Sequence, residues 1–452
     1  MAFNIPPELL QTIPLSDSFD EPAFLLAQQQ EPITSIRLNP KKYSPIFQQE
    51  ENVPWSMYGK YLRERPVFTA DPLLHAGCYY VQEASSMFLE YALKQCVDFS
   101  QTQIALDLCG APGGKSTLLA SLLSEESLLI SNEVIQNRAT ILNENICKWG
   151  YQNTWVSNSD PKHFAALKNE FTILLMDAPC SGSGLFRKLP NYCHDWNMDN
   201  VNLCAQRQKR ILHDSYDCLA QDGILVYMTC SFSQQENEDI VDYILDSMAV
   251  ESIAFSLPEN WGITETISEE QKGYGYRFYP HLLQGEGFFI ACFKKLDGQK
   301  VEPKLPAKKF KLKHQSIAEF VDVDKGMVVE QQDNLLFIKE EHIAYMQAFS
   351  NHIKLIKKGI RLGKVIRNEL LPDHELALFV GNNFQANIMQ VNKEEAIAYL
   401  KKENIIFPEI PKGWALVQYE GIALGWIKNI GSRMNNYYPA NYRILNQNIL
   451  PS

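Results

Sequence analysis

Between residues 102 and 294, six short apolar runs alternate with stretches of helical rhythm: IALDL (104–108), SLLISNE (127–133), TWVSN (154–158), FTILLMD (171–177), GILVYMT (223–229) and GFFIACF (287–293). Strands buried on both faces read as continuous apolar runs, whereas strands with one wet face alternate. Run and helix in succession predict an α/β unit, a parallel sheet covered by helices on both sides. In such sheets ligands bind beyond the carboxyl ends of the strands, so the strand-to-helix loops are where chemistry is expected.

The remaining chain sets boundaries around this unit. A length of 452 residues exceeds one ordinary domain. Residues 1–95 read as a helical and irregular region containing SIRLNP (35–40) and AGCYYVQEASSMFLEYAL (76–93), and 96–298 form the α/β unit. KLPAKKFKLK (304–313) marks a boundary, with a linker and α+β region over 299–385 and a β-rich end over 386–452. In that end, Asn392 and Glu395 have capping-box spacing, and GWALVQYEGIALGWIKN (413–429) reads as a hairpin turning at Glu420-Gly421.

Charge and cysteine usage narrow the class. No run approaches the roughly 18 apolar residues of a membrane span. The first residues lack the basic n-region and continuous apolar core of a secretory signal, so a cytoplasmic protein is expected. None of the ten cysteines forms a C-x-x-C pair, which argues against a zinc site and, without export, suits reduced thiols. The net charge of −11 is uneven: residues from 301 onward carry 20 basic against 16 acidic residues. Such a basic half is compatible with a nucleic-acid partner, although the lysine run also reads as a solvated linker.

DLCGAPGGKST (107–117) joins the first run to a helix and half-matches a phosphate loop. That loop needs Gly, four residues, then Gly-Lys-Ser/Thr. Counting back from Gly114 puts Cys109 where the first glycine belongs, and Gly110 is one residue too close. Asp107 beside the loop would repel phosphates yet can pair with an amine. Glu133 lies 20 residues after Gly113, near the separation at which an acid meets ribose hydroxyls. A nucleoside-bearing cofactor therefore fits better than a triphosphate. Two thiols, Cys180 after FTILLMD and Cys230 after GILVYMT, fall at the same sheet edge, where a partly exposed thiolate can attack an electron-poor ring. Either alone reads as a packing residue; together, beside Asp177, they point to chemistry.

DLCGAPGGKST, MDAPCSGSGLFRK and YMTCSFSQQENE resemble the cofactor, Pro-Cys and Thr-Cys motifs of the Nop/Sun family of RNA cytosine-C5 methyltransferases. SIRLNP, YYVQEASS and RFYPHLLQGEGFF (277–289) are similar to family segments in the family order, and GIALGWIKNIGSRMNNYYP (421–439) resembles the PUA-like tail of the bacterial RsmF branch. The resemblance implies a class I, Rossmann-like methyltransferase sheet using S-adenosylmethionine, an N-terminal RNA-binding region, a C-terminal α+β and PUA-like part, and no metal. It implies that Cys109, Gly110, Ala111, Pro112, Gly113, Gly114 and Lys115 line the cofactor, with Glu133 on the ribose, Asp160 near adenine, Asp177 facing cofactor and base, and Arg138 supporting the pocket. Cys230 is implied as nucleophile at C6, after which C5 can take up the sulfonium methyl. Cys180 is implied to assist product release, as or through the base, and Asp177 to contact N3 and the exocyclic amine. Lys115 either helps in the pocket or caps the loop. Sequence alone does not order the two thiols, since DNA cytosine methyltransferases use a Pro-Cys nucleophile. Arg37, Arg187, Lys188 and Arg277 are expected RNA contacts. The implied substrate is ribosomal RNA or a small ribosomal subunit, acted on by a monomer. A catalytically idle RNA-binding assembly factor is the competing class, and a P-loop ATPase the third.

Overall fold

The computed structural model describes all residues except 1–4, 15–18, 303, 305–316, 332, 368, 386, 404–409 and 446–452. Apart from Lys304, the lysine run of the boundary lies outside the described residues.

Three strands, β1 (Thr34–Leu38), β2 (Gly59–Leu62) and β3 (Tyr79–Val81), form an antiparallel sheet ordered β2-β1-β3. The N-terminal region expected to be helical and irregular is thus partly a sheet. All five positions of β1 are buried, so no alternation marked it as a strand.

The central sheet is built from β4 (Ile104–Asp107), β5 (Leu128–Asn132), β6 (Thr154–Ser157), β7 (Phe171–Asp177), β8 (Leu219–Thr229), β9 (Val250–Ser252), β10 (Thr264–Ile267), β11 (Tyr274–Phe278) and β12 (Phe288–Lys295). Its middle, β8-β7-β4-β5-β6, is parallel throughout. Alternate residues feed two cores. Leu106, Leu174, Met176, Leu225 and Tyr227 face one, and Ala105, Ile173, Leu175, Val226 and Met228 face the other. Both faces being dry is why these strands are continuous apolar runs.

The last run departs from the expected parallel sheet. β12 lies antiparallel between β8 and β11, because β10, β11 and β12 follow as a meander instead of through crossover helices. The opposite edge is closed from beyond the expected boundary at 298, as β15 (Leu355–Lys357) pairs antiparallel with β6.

Before and after it, β13 (Met327–Gln331), β14 (Asn334–Ile338), β16 (Ile360–Ile366) and β17 (Glu369–Pro372) make a four-stranded sheet. A second four-stranded sheet comprises β18 (Ile388–Val391), β19 (Gly413–Tyr419), β20 (Ile422–Asn429) and β21 (Met434–Asn436). The hairpin at 420–421 and the Asn392/Glu395 capping box are both present. This last sheet shares a core with the N-terminal one, Ile36, Leu38 and Tyr79 packing with Val417, Ile427 and Tyr438.

Candidate active site

Asp107 ends β4 and is fully buried. Ser116 Oγ donates to its Oδ2 at 2.6 Å, while Oδ1 is buried without a hydrogen-bond partner. Burial pushes this carboxyl up to about 7. A bare, buried acidic oxygen costs free energy and is a place prepared for a donor.

The loop that follows packs tightly against the carboxyl and the serine that binds it. A Cβ at Gly110 would lie 2.8 Å from Ser116 Oγ and 3.2 Å from Asp107 Oδ2. Gly113 caps helix Gly114–Leu122 at φ 119°, a conformation that side chains disfavour. Asn145 Nδ2 donates to Pro112 O at 2.8 Å. Arg138 Nη2 donates to Ala111 O at 3.0 Å and Nη1 pairs with Glu133 at 3.3 Å, joining loop and acid. Asp160 accepts from Lys162 N at 3.1 Å, capping the turn after β6.

A cleft of about 1050 Å³ opens from this loop, and Cys109, Gly110, Ala111, Pro112, Gly114, Lys115, Asp177, Lys188 and Cys230 are among its lining residues. Glu133, Arg138 and Asp160 stand outside that lining, next to or beyond the loop. Lys115 Nζ meets Asp177 at 2.8 Å. Burial works against the ammonium, but Asp177, with smaller help from Cys230 and Asp107, outweighs it and raises the Lys115 pKa.

β7 and β8 are adjacent and parallel, with Asp177 in register with Met228, so the residues that follow both strands meet. Cys180 and Cys230 sulfurs lie 3.0 Å apart, both unoxidised. Gly184 holds the turn after Cys180 close against the Cys230 backbone. Its N–H donates to Cys230 O at 2.8 Å, and a Cβ there would fall 2.5 Å from Gly287 O. Only Cys230 of the pair lines the cleft. The hydrogen bond to Cys230, burial and the nearby Glu236 charge push the Cys180 thiol well above its ordinary range. A third thiol, Cys109, is pushed up by burial and by Asp107 and Asp177, so it is a poor nucleophile.

Three expected RNA contacts are corrected by their surroundings. Arg37 is 1% exposed. It donates to Gln82 Oε1 (2.8 Å) and Thr117 Oγ1 (2.6 Å), and lies 4.6 Å over the Trp149 ring, fixing the helix after the glycine loop. Arg187 is buried against Glu286, at 3.1 and 3.2 Å from Nε. Arg277 is buried against Glu238, with Nε to Oε1 at 2.7 Å, and Nη1 donates to Phe232 O at 2.7 Å. Motif arginines can brace a site as readily as face a ligand, and a lone sequence does not separate the two. Arg63 and Arg65, unnoticed in the sequence, do stand exposed on the cleft wall, contributed by the N-terminal part of the chain. The signal for them was a strand end, KYL, running into RERP (63–66).

Comparison with known proteins agrees with this geometry. The model of the 16S rRNA methyltransferase RsmB/F family matches residues 94–294, that of the N-terminal domain of 16S rRNA methyltransferase RsmF matches 6–84, and that of the methyltransferase RsmF PUA domain matches 386–444. Ribosomal RNA small subunit methyltransferase F of Shewanella piezotolerans is 29% identical over 90% of this chain and 89% of its own length. Its counterpart from Enterobacter sp. is 29% identical over 96% and 94%. Among solved structures, a methyltransferase homolog protein from Pyrococcus horikoshii is 31% identical, with a TM-score of 0.52 over 61% of this chain and 90% of that one. NSun6 from Pyrococcus horikoshii, solved with SFG, shares the fold at 20% identity and a TM-score of 0.54, over 65% of this chain and 99% of that one. Models of the catalytic part, the N-terminal domain and the PUA domain of one lineage match successive parts of the chain, and the chain belongs to the RsmB/F family of 16S rRNA methyltransferases.

Proposed function

We propose that this protein methylates C5 of a cytosine in small-subunit ribosomal RNA with S-adenosylmethionine, through a covalent adduct between Cys230 and C6. The observation that carries the reading is the meeting of two thiols at 3.0 Å, one of them on the wall of the cleft that also holds Asp107. C5 of cytosine is a poor nucleophile. Addition of the Cys230 thiolate at C6 makes C5 a carbon nucleophile, and loss of the C5 proton with expulsion of the sulfur restores the ring. When bound, the cofactor supplies an electrophilic methyl group.

The residues present fit that cofactor. Asp107 Oδ1 is placed to accept from its amine, the 109–114 backbone lies against its amino-acid part, and Glu133, held by Arg138, suits its ribose hydroxyls. Asp160, behind the loop at the end of β6, suits the adenine side. Asp177 and the Lys115 ammonium paired with it face the base, where a carboxyl meets N3 and the exocyclic amine. The cytosine reaches this cleft only when unpaired or flipped out. The ten free cysteines suit a reducing, cytoplasmic setting, and a monomer acting on ribosomal RNA or the small subunit is the simplest form. No helix among the described residues is long and apolar enough to cross a membrane.

RNA substituted with 5-fluorocytosine tests the reaction: fluorine at C5 blocks elimination, so a stable protein–RNA adduct is expected in the presence of S-adenosylmethionine. Absence of the adduct would favour the idle assembly factor. Calorimetry should find S-adenosylhomocysteine bound and ATP not, and the reverse would favour the ATPase.

Asp107→Asn should weaken S-adenosylhomocysteine about 10- to 100-fold, the worth of one hydrogen bond to a charged group. In the parent protein, affinity should fall as pH drops below about 7, where Asp107 takes up a proton and ceases to attract an amine. The variant should lack that fall. The sign for stability is opposite. The folded pKa lies above the unfolded one, so the ligand-free protein loses this group's contribution as pH rises through about 7. Calorimetry across pH 5.5 to 8.5, roughly the span in which such a group titrates, checks both.

Arg63→Ala with Arg65→Ala should lower the slope of log affinity against log salt by about 1 for each arginine, with S-adenosylhomocysteine affinity unchanged. An unaltered slope in filter binding would remove both from the RNA path.

A further inference from the structure

Glu236 is wholly buried, and the donors to its carboxylate come from the two cysteine loops and the helix Met198–Ser215 behind them. Its Oε1 accepts from Ser181 N at 2.8 Å and Gln208 Nε2 at 3.3 Å. Its Oε2 accepts from Ser181 Oγ at 2.5 Å and Ser231 Oγ at 2.6 Å. Ser181 and Ser231 are the residues immediately after Cys180 and Cys230. Ser181 Oγ also accepts from Trp196 Nε1, and Ser231 Oγ from Ser233 N. Both hydroxyls donate to Glu236. Burial pushes the Glu236 carboxyl up, and the donors from Ser181, Ser231 and Gln208 work against burial in favour of the carboxylate.

One negative charge thus clamps both loops from behind, while Lys115 and Asp177 stand on the cleft side. Tyr227, Cys204, Arg207 and Glu238 are further titratable groups around the clamp, and Tyr227 OH donates to Glu236 O at 2.6 Å.

We propose that Glu236 is a positioning residue that sets the two sulfurs in contact and holds Cys180 as a neutral thiol, so that Cys180 serves release by donating a hydrogen bond to the departing Cys230 sulfur and not as the base. In that step the C6–S bond breaks and its electron pair returns to Cys230, whose growing negative charge the Cys180 S–H stabilises. The C5 proton leaves to a water molecule, and its electron pair restores the ring double bond. The proposal rests on Cys230 being the nucleophile. It is consistent with the raised pKa of Cys180, to which the Glu236 charge contributes.

Glu236→Gln keeps the size and an acceptor for the Ser181 amide while removing the charge. In a Cys230→Ser background, iodoacetamide labelling of the Cys180 peptide, read by mass spectrometry against pH, should move to lower pH on adding Glu236→Gln, with a labelling rate about tenfold higher at pH 8. With Cys230 present, decay of the adduct on ordinary RNA in single-turnover experiments should fall at high pH, and fall at lower pH in Glu236→Gln. Unmoved labelling, or a decay rate that rises through the Cys180 titration, would overturn the proposal. Trapping on 5-fluorocytosine RNA separates the two failures. An adduct in both proteins with unmoved labelling rejects the Glu236 role alone, whereas no adduct in the parent rejects the nucleophile reading beneath it. Should Glu236→Gln not fold, Ser181→Ala with Ser231→Ala removes both hydroxyl ties and is expected to slow decay about tenfold with S-adenosylhomocysteine affinity unchanged. Decay at the parent rate would overturn the clamp.

Discussion

Cys230→Ala should abolish methyl transfer, by at least roughly 10⁴-fold in single-turnover rate, as removal of a covalent nucleophile does elsewhere. It should also fail to form the 5-fluorocytosine adduct while binding S-adenosylhomocysteine as the parent does, because the 109–114 loop and Asp107 do not depend on it. Cys180→Ala should behave oppositely, accumulating adduct on ordinary RNA, because addition at C6 needs only the sulfur on the cleft wall and release needs its neighbour 3.0 Å away. Denaturing gels of enzyme mixed with radiolabelled RNA distinguish the two. An unchanged adduct in Cys230→Ala would exchange the roles of the thiols, and clean turnover in Cys180→Ala would leave that residue with packing alone.

Arg277→Ala should lower stability by about 3 to 5 kcal/mol, since it strands the Glu238 carboxylate, buried and without its main partner, inside the sheet edge. In a unit of some 200 residues that corresponds to a fall of about 10 °C in the melting midpoint of the catalytic part. Replacing both partners with apolar residues of similar size should recover much of the loss, because no lone charge then remains. RNA affinity at a temperature where both proteins are folded should keep its salt dependence. Scanning calorimetry and salt titration read the two separately. A weakened salt slope with an unchanged midpoint would return Arg277 to the RNA surface.

The arginines show where sequence reading stopped. Arg37, Arg187 and Arg277 sit in recognisable motifs, and a cation in the motif of a nucleic-acid enzyme reads as a phosphate contact. Each instead has buried acid, amide, hydroxyl or carbonyl partners 39 or more positions away along the chain. Arg63 and Arg65 carry no motif but stand at the cleft because β2 ends there. The same holds for β1 and β12. Short buried strands have no periodicity, and strand direction is a property of the neighbour, not of the run itself.

What the sequence by itself determined was the set of features encoded within one loop or one element: the run–helix alternation of the central unit, the glycine loop that fails as a phosphate cradle, the two strand-end thiols, the capping box and the 413–429 hairpin. Local sterics and burial on both faces write these directly into residue order. Only the tertiary structure decided which thiol reaches the cleft, which arginines are interior, and that Glu236 ties both cysteine loops together. Those outcomes depend on whether a charge finds a partner in three dimensions. A carboxylate and a guanidinium far apart in the chain neutralise each other once folding removes the water between them.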